Sequence, residues 1–309
     1  MQIDEKVIHQ LERLHAKYAT MGQDMSSYLE GLIESDYLTY WDYIHLDTLL
    51  TLQNPKTSYP DEKIFIIYHQ ITELYFNLIL HELEQIASVE ISIGFFQERL
   101  HRIVQYFKNL IASFTIMIDG MDSAQFLKYR MALLPASGFQ SAQYRKIEIL
   151  TTSIENLVSV SKRETMAGKG FDEQFENIYW KQGATELATG KKTLTLLQFE
   201  EKYLSELYSL AKKYEGQTLW KKFKQLPDSE QQNQELIDLM KEYDTQVNVQ
   251  WPLMHYKSAA RYLEKKPEDI AATGGTNWQK YLPPRFQRRI FFPELWSSTE
   301  LEAWGTNTK

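Results

Sequence analysis

One long apolar stretch decides the fold of this chain: residues 61–83 read DEKIFIIYHQITELYFNLILHEL. Helical steps from Phe65 place on one stripe His69, Thr72, Phe76, Leu80 and Leu83. The opposite side is also largely apolar, and a helix that is apolar on nearly all sides belongs inside a large protein. His69 therefore needs a partner, because an unpaired polar group in a dry core costs roughly a few kcal/mol. That partner is a backbone carbonyl, a metal or a ligand, and the helix taken alone favours the carbonyl.

The composition is that of a globular protein without thiol chemistry. The 309 residues are 43% hydrophobic and 13% aromatic, and they include no cysteine. This excludes disulfides, thiolate catalysis and cysteine-bound metals, so a metal or haem would be held by His, carboxylate, Tyr or Met. The net charge of −7 argues against a broad nucleic-acid surface, because phosphate contacts require clustered Lys and Arg. We see no signal-peptide pattern and no run of 18 apolar residues, and we expect a cytoplasmic protein that does not span a membrane.

Helical periodicity continues along most of the chain, whereas strand patterns are nearly absent. We predict further helices over residues 4–19, 95–118, 123–134, 139–161, 195–214, 217–225 and 229–265. The last of these contains Pro252, where we expect a kink. Residues 161–193 are polar and hold four of the 13 glycines, and we interpret them as a surface excursion. The predicted architecture is all-α, a single domain over residues 1–309 built as a bundle of long helices with short ones at one end.

A few side chains are candidates for chemistry. His255 lies one helical turn after Trp251, although a lone helical histidine is more often a hydrogen-bonded or exposed residue than a ligand. Arg130 lies four residues after Phe126, and its guanidinium offers the two-pronged donor that suits a carboxylate. The alternative for Arg130 is an ordinary surface arginine whose stem packs on a ring.

Two further segments stand out by composition. The loop that contains Thr273-Gly274-Gly275 has the flexibility of a hinge and lacks the pattern of a phosphate-binding loop. Tyr37, Tyr40, Trp41 and Tyr43 crowd a segment near the N-terminus. These rings pack either on the core of the same chain or, less commonly, on a partner subunit. Spacing alone thus indicates a helical protein with two notable histidines, one arginine and one glycine loop.

Longer motifs resemble one enzyme family, the tryptophan 2,3-dioxygenases. Residues 65–83, FIIYHQITELYFNLILHEL, resemble the family segment F-I-I-x-H-Q-x-x-E-L-W-F-K-x-I-x-x-E-L. Residues 130–148, RMALLPASGFQSAQYRKIE, resemble R-x-x-L-x-P-A-S-G-F-Q-S-x-Q-x-R-x-x-E. The two tyrosines ahead of IHLDTLL and the FPELW at 292–296 match further family patterns. The resemblance spans nearly the whole chain in the right order.

The resemblance implies an activity and a role for each candidate residue. The activity is the haem-dependent opening of the indole ring of L-tryptophan by O2, which gives N-formyl-L-kynurenine in the kynurenine pathway. The cofactor is haem b, ferrous in the active form, with His255 as the proximal ligand to its iron. The other implied cofactor-binding residues are Trp251, Ser137 and Gly138. The implied catalytic residue is His69, which contacts the indole N–H and can position the substrate without acting as an obligate base. The implied substrate-binding residues are Phe65, His69, Phe126, Arg130, Thr273, Tyr40 and Tyr43.

The resemblance also implies an assembly, a homotetramer formed as a dimer of dimers. Residues 1–50 match an arm that exchanges contacts with a neighbouring subunit, where Tyr40 and Tyr43 complete the pocket.

The chain departs from the family at three places near the implied site. Residues 272–278 read ATGGTNW where the family has G-T-G-G-x-S-G, and four extra residues lie around 265–268. The proximal helix reads WPLMH where the family has W-R-x-R-H. Two alternatives follow from these departures. One is a haem dioxygenase or monooxygenase acting on a modified tryptophan or another indole, and the other is a haem- or indole-binding sensor without turnover.

Overall fold

Helices make up most of the chain in the computed structural model, which describes residues 3–88, 90, 92–183, 185, 191–263 and 283–306. Within these residues the extended pairings are isolated bridges, Val158 with Ile178 and Thr185 with Lys192, and no sheet forms. The all-α fold class predicted from the sequence is therefore confirmed. Residues 1–54 and residues 55–309 form two compact units. The predicted arm over residues 1–50 coincides closely with the first unit, and a single domain over the whole chain stays a prediction.

The first unit is built from short helices that bury little. Its helices are α1 (Glu5–Thr20), α2 (Met25–Ile33), α3 (Tyr40–Tyr43) and α4 (Leu46–Leu49). Helix α1, predicted over residues 4–19, begins where the Asp4 carboxylate accepts the N–H of Lys6. None of these helices contains a buried residue.

The second unit contains the long helices. They and the shorter helices between them are α5 (Asp61–Ser88), α6 (Ile93–Ser113), α7 (Thr115–Asp119), α8 (Ser123–Tyr129), α9 (Ala142–Thr151), α10 (Ile154–Leu157), α11 (Arg163–Met166), α12 (Phe171–Glu176), α13 (Tyr179–Gly183), α14 (Leu194–Lys213), α15 (Leu219–Phe223), α16 (Asp228–Gln231), α17 (Gln234–Thr245), α18 (Trp251–Leu263), α19 (Pro284–Gln287) and α20 (Ser298–Glu302). Single turns of 3₁₀-helix lie at Arg130–Leu133, Gly138–Gln140, Val160–Lys162 and Pro293–Leu295, and a π-helical turn lies at Gln246–Gln250.

Helix α5 is the central element of the second unit, as the sequence predicts. Its first turn carries Asp61 and Glu62, whose negative charges suit the positive end of the helix dipole. Helices α6 and α9 both pack against α5, while α17 packs on α6 and α14 packs on α9. Phe76, Ile79 and Leu83 of α5 are almost completely buried in this contact. Each such side chain contributes roughly 1.5–3 kcal/mol to folding, so this stack of helices dominates the stability of the unit.

Several predicted helices are interrupted in the structure, and the one predicted over residues 139–161 divides between α9 and α10 at Thr152 and Ser153. The helix predicted over residues 95–118 breaks at Phe114, between α6 and α7. The helix predicted over residues 229–265 consists of α16, α17, the π-turn at Gln246–Gln250 and α18. Pro252 is the second residue after that π-turn, and its missing N–H accounts for the local departure from α-helical hydrogen bonding. The kink expected at Pro252 stays a prediction.

The segment predicted as a surface excursion, residues 161–193, is only partly on the surface. Phe175, Ile178 and Trp180 are each at most 1% exposed and belong to the main hydrophobic core. The prediction is therefore wrong for the middle of the segment. The reason is that its lysines and glycines lie mainly on either side of a short aromatic stretch, so the average composition hid the stretch that packs inward.

The C-terminal FPELW segment is fixed to helix α17. The Asp244 carboxylate accepts the backbone N–H groups of Phe291 and Phe292 at 3.0 to 3.2 Å and the indole N–H of Trp296 at 3.0 Å. Asp244 is fully buried and lies just before the π-turn. These bonds hold the C-terminal segment against the start of the helix that carries His255. Among the described helices, none combines the length and the hydropathy that a transmembrane span requires.

Candidate active site

His69 lies in the first half of helix α5 and is half-buried. Its Nδ1 atom lies 2.7 Å from the carbonyl oxygen of Phe65, one turn earlier. Because a carbonyl only accepts hydrogen bonds, Nδ1 carries the proton. The Nε2 atom of the neutral ring therefore keeps its lone pair and can accept a hydrogen bond or bind a metal.

The protein around His69 favours the neutral ring. Burial lowers the pKa of His69, against the opposing effects of the hydrogen bond to Phe65 and of the negative charge of Glu73. Gln143 holds Glu73 in place, since its Nε2 donates to the Glu73 carbonyl at 2.9 Å and to the Glu73 carboxylate at 2.8 Å. At neutral pH, His69 thus offers an uncharged acceptor.

Aromatic rings form a wall beside His69. The centroid of the Phe65 ring lies 4.1 Å from that of His69, 6.2 Å from that of Phe126 and 6.1 Å from that of Tyr129. Tyr129 is completely buried. Flat apolar side chains at these separations suit contact with another planar ring. The structure therefore brings together His69, Phe65 and Phe126, three of the residues predicted to bind substrate.

Arg130 adjoins this wall at the end of helix α8. Its backbone N–H donates to the Phe126 carbonyl, which places the two side chains about one helical turn apart. Arg130 is 7% exposed, and burial lowers the pKa of its guanidinium. It remains a cation at neutral pH, since the pKa of arginine lies far above 7. A buried cation one helical turn after Phe126 suits a ligand with a carboxylate and a planar apolar part.

The relative position of α5 and α8 is fixed where both helices begin. The Asp61 carboxylate accepts the backbone N–H of Asp122 at 2.5 Å, and the Asp61 N–H donates to the Gln125 side chain at 3.3 Å. Asp122 also caps α8 by accepting the Gln125 N–H at 2.9 Å. These bonds set the face of α5 that carries Phe65 against the face of α8 that carries Phe126.

His255 repeats the arrangement of His69 on helix α18. Its Nδ1 lies 3.1 Å from the Trp251 carbonyl, so Nδ1 carries the proton and Nε2 has the lone pair. Burial lowers the pKa of His255 to about 4. The hydrogen bond to Trp251 opposes this shift, and the charge of His69, when that ring is protonated, and the charge of Arg289 add to it. A neutral imidazole whose Nδ1–H is anchored on a carbonyl is the form that ligates a metal.

Two buried rings join the two histidines. Phe114, at the break between α6 and α7, contacts His255 at 4.7 Å and Trp251 at 4.9 Å between ring centroids. The same ring lies 5.6 Å from Tyr68, whose ring is 6.0 Å from that of His69.

A second link runs from the end of α18 to the aromatic wall. The Tyr262 ring packs on Phe126 at 4.7 Å, and its hydroxyl donates to the Met117 carbonyl at 2.5 Å. The helix of His255 and the aromatic wall beside His69 are therefore parts of one packed region.

The turn predicted to lie over a cofactor is ordered by its own side chains. Ser137 caps the 3₁₀-turn Gly138–Gln140 by accepting the Phe139 N–H, and Gln140 reaches back to the Ser137 N–H at 3.2 Å. Gln140 also donates to the Thr195 carbonyl at 3.3 Å, which ties the turn to α14. Open space adjoins the α-carbon of Gly138.

Three predicted residues belong to the first unit or fall outside the described residues. Tyr40 and Tyr43 belong to α3 of the first unit and are 70% and 73% exposed. Thr273 lies outside the described residues, as does the altered loop at 272–278. The roles of these three residues stay predictions.

Two surface pockets are lined by other residues. One of about 220 Å³ is lined by Trp220, Lys224 and Glu294 among others, and one of about 130 Å³ by Thr152 and Phe171 among others. Neither includes a predicted site residue.

Four rings of the site were not found from the sequence: Tyr68, Phe114, Tyr129 and Tyr262. Tyr68 and Tyr129 directly precede His69 and Arg130, and this adjacency in the sequence marks them as candidates for the site. Phe114 and Tyr262 come from other helices, and only tertiary packing brings them to the site.

The chain is similar to known proteins over most of its length. A sequence model described as tryptophan 2,3-dioxygenase matches residues 30–265, more than two thirds of the chain. The chain belongs to the tryptophan 2,3-dioxygenase family. It is accordingly an oxidoreductase, a dioxygenase.

Individual members of the family match over most of their length. A tryptophan 2,3-dioxygenase of Exiguobacterium sibiricum is 29% identical over 295 residues, 90% of this chain and 98% of the relative. One of Herpetosiphon aurantiacus is 28% identical over 272 residues, 85% of this chain and 98% of the relative. One of a Ruegeria species is 42% identical over a shorter stretch of 117 residues, 37% of this chain and 41% of the relative.

For this tryptophan 2,3-dioxygenase family member, the match covers the residues on which the constellation depends. Residues 30–265 include His69, Arg130 and His255, and they end before Thr273 and before the C-terminal FPELW. The family assignment thus stands independently of the altered loop.

Proposed function

We propose that this protein uses O2 to open the indole ring of L-tryptophan and that His255 is the residue that holds the haem required for this reaction. The observation that carries the proposal is the pair of neutral histidines, each with Nδ1–H on a carbonyl and a lone pair on Nε2, linked by rings beside a buried arginine. The family name agrees with a tryptophan dioxygenase activity.

The donor chemistry fits haem. His255 offers a neutral Nε2 whose orientation is set by the bond to Trp251, and a neutral imidazole is a suitable axial ligand for ferrous haem. Trp251 and Phe114 pack edge-on against the imidazole and restrict its rotation. At Gly138 a β-carbon would meet no atom within 4 Å, so the turn does not obstruct a flat group on that side. When bound, haem b supplies the iron that activates O2.

The side chains near His69 fit L-tryptophan. Nε2 of His69 accepts the indole N–H, and the rings of Phe65 and Phe126 flank the indole. Arg130 pairs with the amino-acid carboxylate through a charge-assisted hydrogen bond, and Thr273 contacts the ammonium and carboxylate groups. Two anchored ends leave the indole little freedom, and such orientation lowers a reaction barrier by several kcal/mol.

The overall reaction balances without an external reductant. Both atoms of O2 enter the substrate, the C2–C3 bond of the indole is cleaved, and the product is N-formyl-L-kynurenine, as in the kynurenine pathway. His69 needs only to hold the indole N–H, since no net proton leaves the substrate.

The proposal includes a homotetramer, a dimer of dimers. Tyr40 and Tyr43 would contact the pocket of a neighbouring subunit, in agreement with their high exposure on α3. Helix α5 carries an exposed apolar stripe of its own, formed by Ile67, Leu74 and Leu78, which a second copy would cover. The cytoplasmic location stays a prediction.

The test is an assay of purified, haem-loaded, reduced protein with L-tryptophan in air. We expect formylkynurenine to appear with consumption of one O2 per tryptophan, and we expect His255→Ala to lose stoichiometric haem. His69→Ala serves as the matched variant, since it should keep the haem and its Soret band. Haem binding with a tryptophan-induced spectral change but no product would instead favour a sensor, and turnover of only a modified tryptophan would favour a related oxygenase.

A further inference from the structure

Two tyrosines support the Phe126 ring from its buried side. Tyr262 of α18 packs on Phe126 at 4.7 Å between ring centroids, and Tyr129 of α8 packs edge-on at 5.6 Å. Tyr262 is 2% exposed and Tyr129 is completely buried, whereas Phe126 and Phe65 are only half-buried. The two phenylalanines therefore form the accessible surface of the aromatic wall, and the two tyrosines form its support.

The hydroxyl group of Tyr262 anchors that support on the turn between α7 and α8. It donates to the Met117 carbonyl at 2.5 Å, and the carbonyl oxygens of Ile118 and Met121 lie 3.4 Å away. Met117 and Ile118 belong to the last turn of α7, where carbonyl groups lack partners within the helix. The Tyr262 hydroxyl thus caps the end of α7 while its ring supports Phe126.

The turn that accepts this hydrogen bond is itself held in place. At Gly120 the chain bends so closely that a β-carbon would lie 2.5 Å from the carbonyl oxygen of Ile116. Two residues later, the N–H of Asp122 donates to the carboxylate of Asp61 on α5 at 2.5 Å. The anchor of Tyr262 is therefore fixed to the helix that also carries Phe65.

A wall supported in this way resists displacement. Phe126 cannot retreat toward the core without displacing Tyr262, and Tyr262 cannot move without losing a buried hydrogen bond. A ligand that is too large for the space in front of Phe126 therefore meets a surface that does not yield. One additional methyl group in an apolar pocket changes selectivity by roughly 10- to 200-fold.

We propose that Tyr262 is a positioning residue that fixes Phe126, and that the fixed wall selects an indole without substituents on the edge that faces Phe126. This inference rests on the proposed function and narrows its substrate class. Tyr262 acts through Phe126, which is the residue proposed to flank the indole. Of the substrates considered above, the fixed wall favours L-tryptophan over a tryptophan that is modified on its ring.

The test compares L-tryptophan with the four derivatives that carry one methyl group on the benzene ring of the indole. Dissociation constants are measured by calorimetry on the full-length, haem-loaded, reduced protein without O2, and kcat/KM is measured in air. We expect the wild type to disfavour at least one derivative by about tenfold or more. Tyr262→Phe keeps the ring and removes its anchor, and it should reduce this discrimination by roughly threefold to tenfold while changing the affinity for L-tryptophan little.

Tyr243→Phe is the matched control. Tyr243 is completely buried, its hydroxyl lies 2.7 Å from that of Thr151, and its ring contacts Phe107 and Phe291. This variant also loses a buried phenolic hydroxyl, so it should lower the temperature of unfolding as Tyr262→Phe does. It should nevertheless keep the discrimination of the wild type. An equal loss of discrimination in both variants would indicate general loosening of the fold and overturn the inference.

Two further outcomes overturn the inference. One is a Tyr262→Phe variant that discriminates between L-tryptophan and its methyl derivatives as strongly as the wild type does. The other needs no variant, and it is a wild-type protein that binds all four derivatives as tightly as L-tryptophan. A wild-type protein that neither binds nor converts L-tryptophan contradicts the proposed function instead.

Discussion

Two histidines on different helices have the same local chemistry. In both, Nδ1 is anchored on the carbonyl four residues earlier, and burial favours the neutral ring. What separates their proposed roles is the surroundings. His255 is enclosed by Trp251 and Phe114, whereas His69 adjoins Phe65 at the aromatic wall that leads to Arg130.

The lowered pKa of His69 predicts the pH dependence of substrate use. Its acceptor form is fully populated at neutral pH and is lost as the pH falls through a pKa below the ordinary 6.5. We therefore expect kcat/KM for L-tryptophan to fall on the acid side with a midpoint below 6.5. His69→Gln keeps an acceptor that does not titrate, and its acid limb should be absent. The same acid limb in both proteins would assign the titration to another group.

Arg130 is expected to determine affinity for the amino-acid end of the substrate. A charge-assisted hydrogen bond is worth about 1.5–3 kcal/mol, so Arg130→Ala should raise KM for L-tryptophan by roughly 10- to 150-fold. Lys128→Ala on the same helix is the matched control, because Lys128 is exposed and should leave KM unchanged. Steady-state kinetics on haem-loaded protein would contradict the role if Arg130→Ala kept the wild-type KM.

At the scale of elements, the joint between α17 and the C-terminal segment supports the helix of His255. Asp244 accepts N–H groups from Phe291, Phe292 and Trp296 in a fully buried position. Asp244→Asn replaces one carboxylate oxygen, which accepts hydrogen bonds, by an amide NH2 group, which only donates them. We expect the free energy of unfolding to fall by about 2–4 kcal/mol, as measured by urea denaturation.

The matched control for this element is Asp238→Asn. Asp238 is exposed on the same helix and bonds only the neighbouring Gln234 in the described contacts. Its substitution should change the unfolding free energy by less than about 0.5 kcal/mol. Similar losses in the two variants would show that the charge of α17, and not the joint to the C-terminal segment, matters for stability.

At the scale of the whole molecule, the exposed side chains of the first unit lead us to expect that copies of the chain associate. Its exposed apolar side chains include Leu32, Ile33, Tyr37, Tyr40, Trp41 and Tyr43. A monomer rarely leaves so many large apolar groups together in water. We expect sedimentation analysis to give a tetramer that becomes smaller or concentration-dependent in a Tyr40→Ala, Trp41→Ala, Tyr43→Ala variant.

The control for assembly lies in the second unit. Phe286 is 51% exposed, and Phe286→Ala should sediment as the wild type does. A triple variant with an unchanged sedimentation coefficient would remove the proposed arm exchange. A loss of assembly in Phe286→Ala as well would indicate that exposed rings act without specificity.

How far the sequence predicts this molecule depends on whether the signal is local. The apolar spacing of α5 and α14 is local, and both helices lie where periodicity places them. No Gly or Pro marks the helix break at Phe114 in the sequence. Trp180 is buried by its tertiary neighbours, although the average composition of residues 161–193 is polar. Those features are set by tertiary contacts.

The same distinction applies to the candidate site. His69, Phe65 and Arg130 belong to motifs long enough to be found by resemblance, and the structure places them around one wall. Two residues, Phe114 and Tyr262, connect the aromatic wall to the helix of His255. Neither belongs to such a motif, and only the folded structure brings them to the site.

The π-turn at Gln246–Gln250 has a consequence for how this chain tolerates changes in length. Each residue of an α-helix advances the chain by about 100° around the axis, so one residue lost from this wide turn would rotate everything after it by roughly that angle. Trp251 and His255 would then point away from Phe114 with their own sequence intact. The direction in which His255 projects from its helix is thus set by the π-turn that precedes the helix. A one-residue deletion in that turn should damage the site more than most substitutions beside the imidazole.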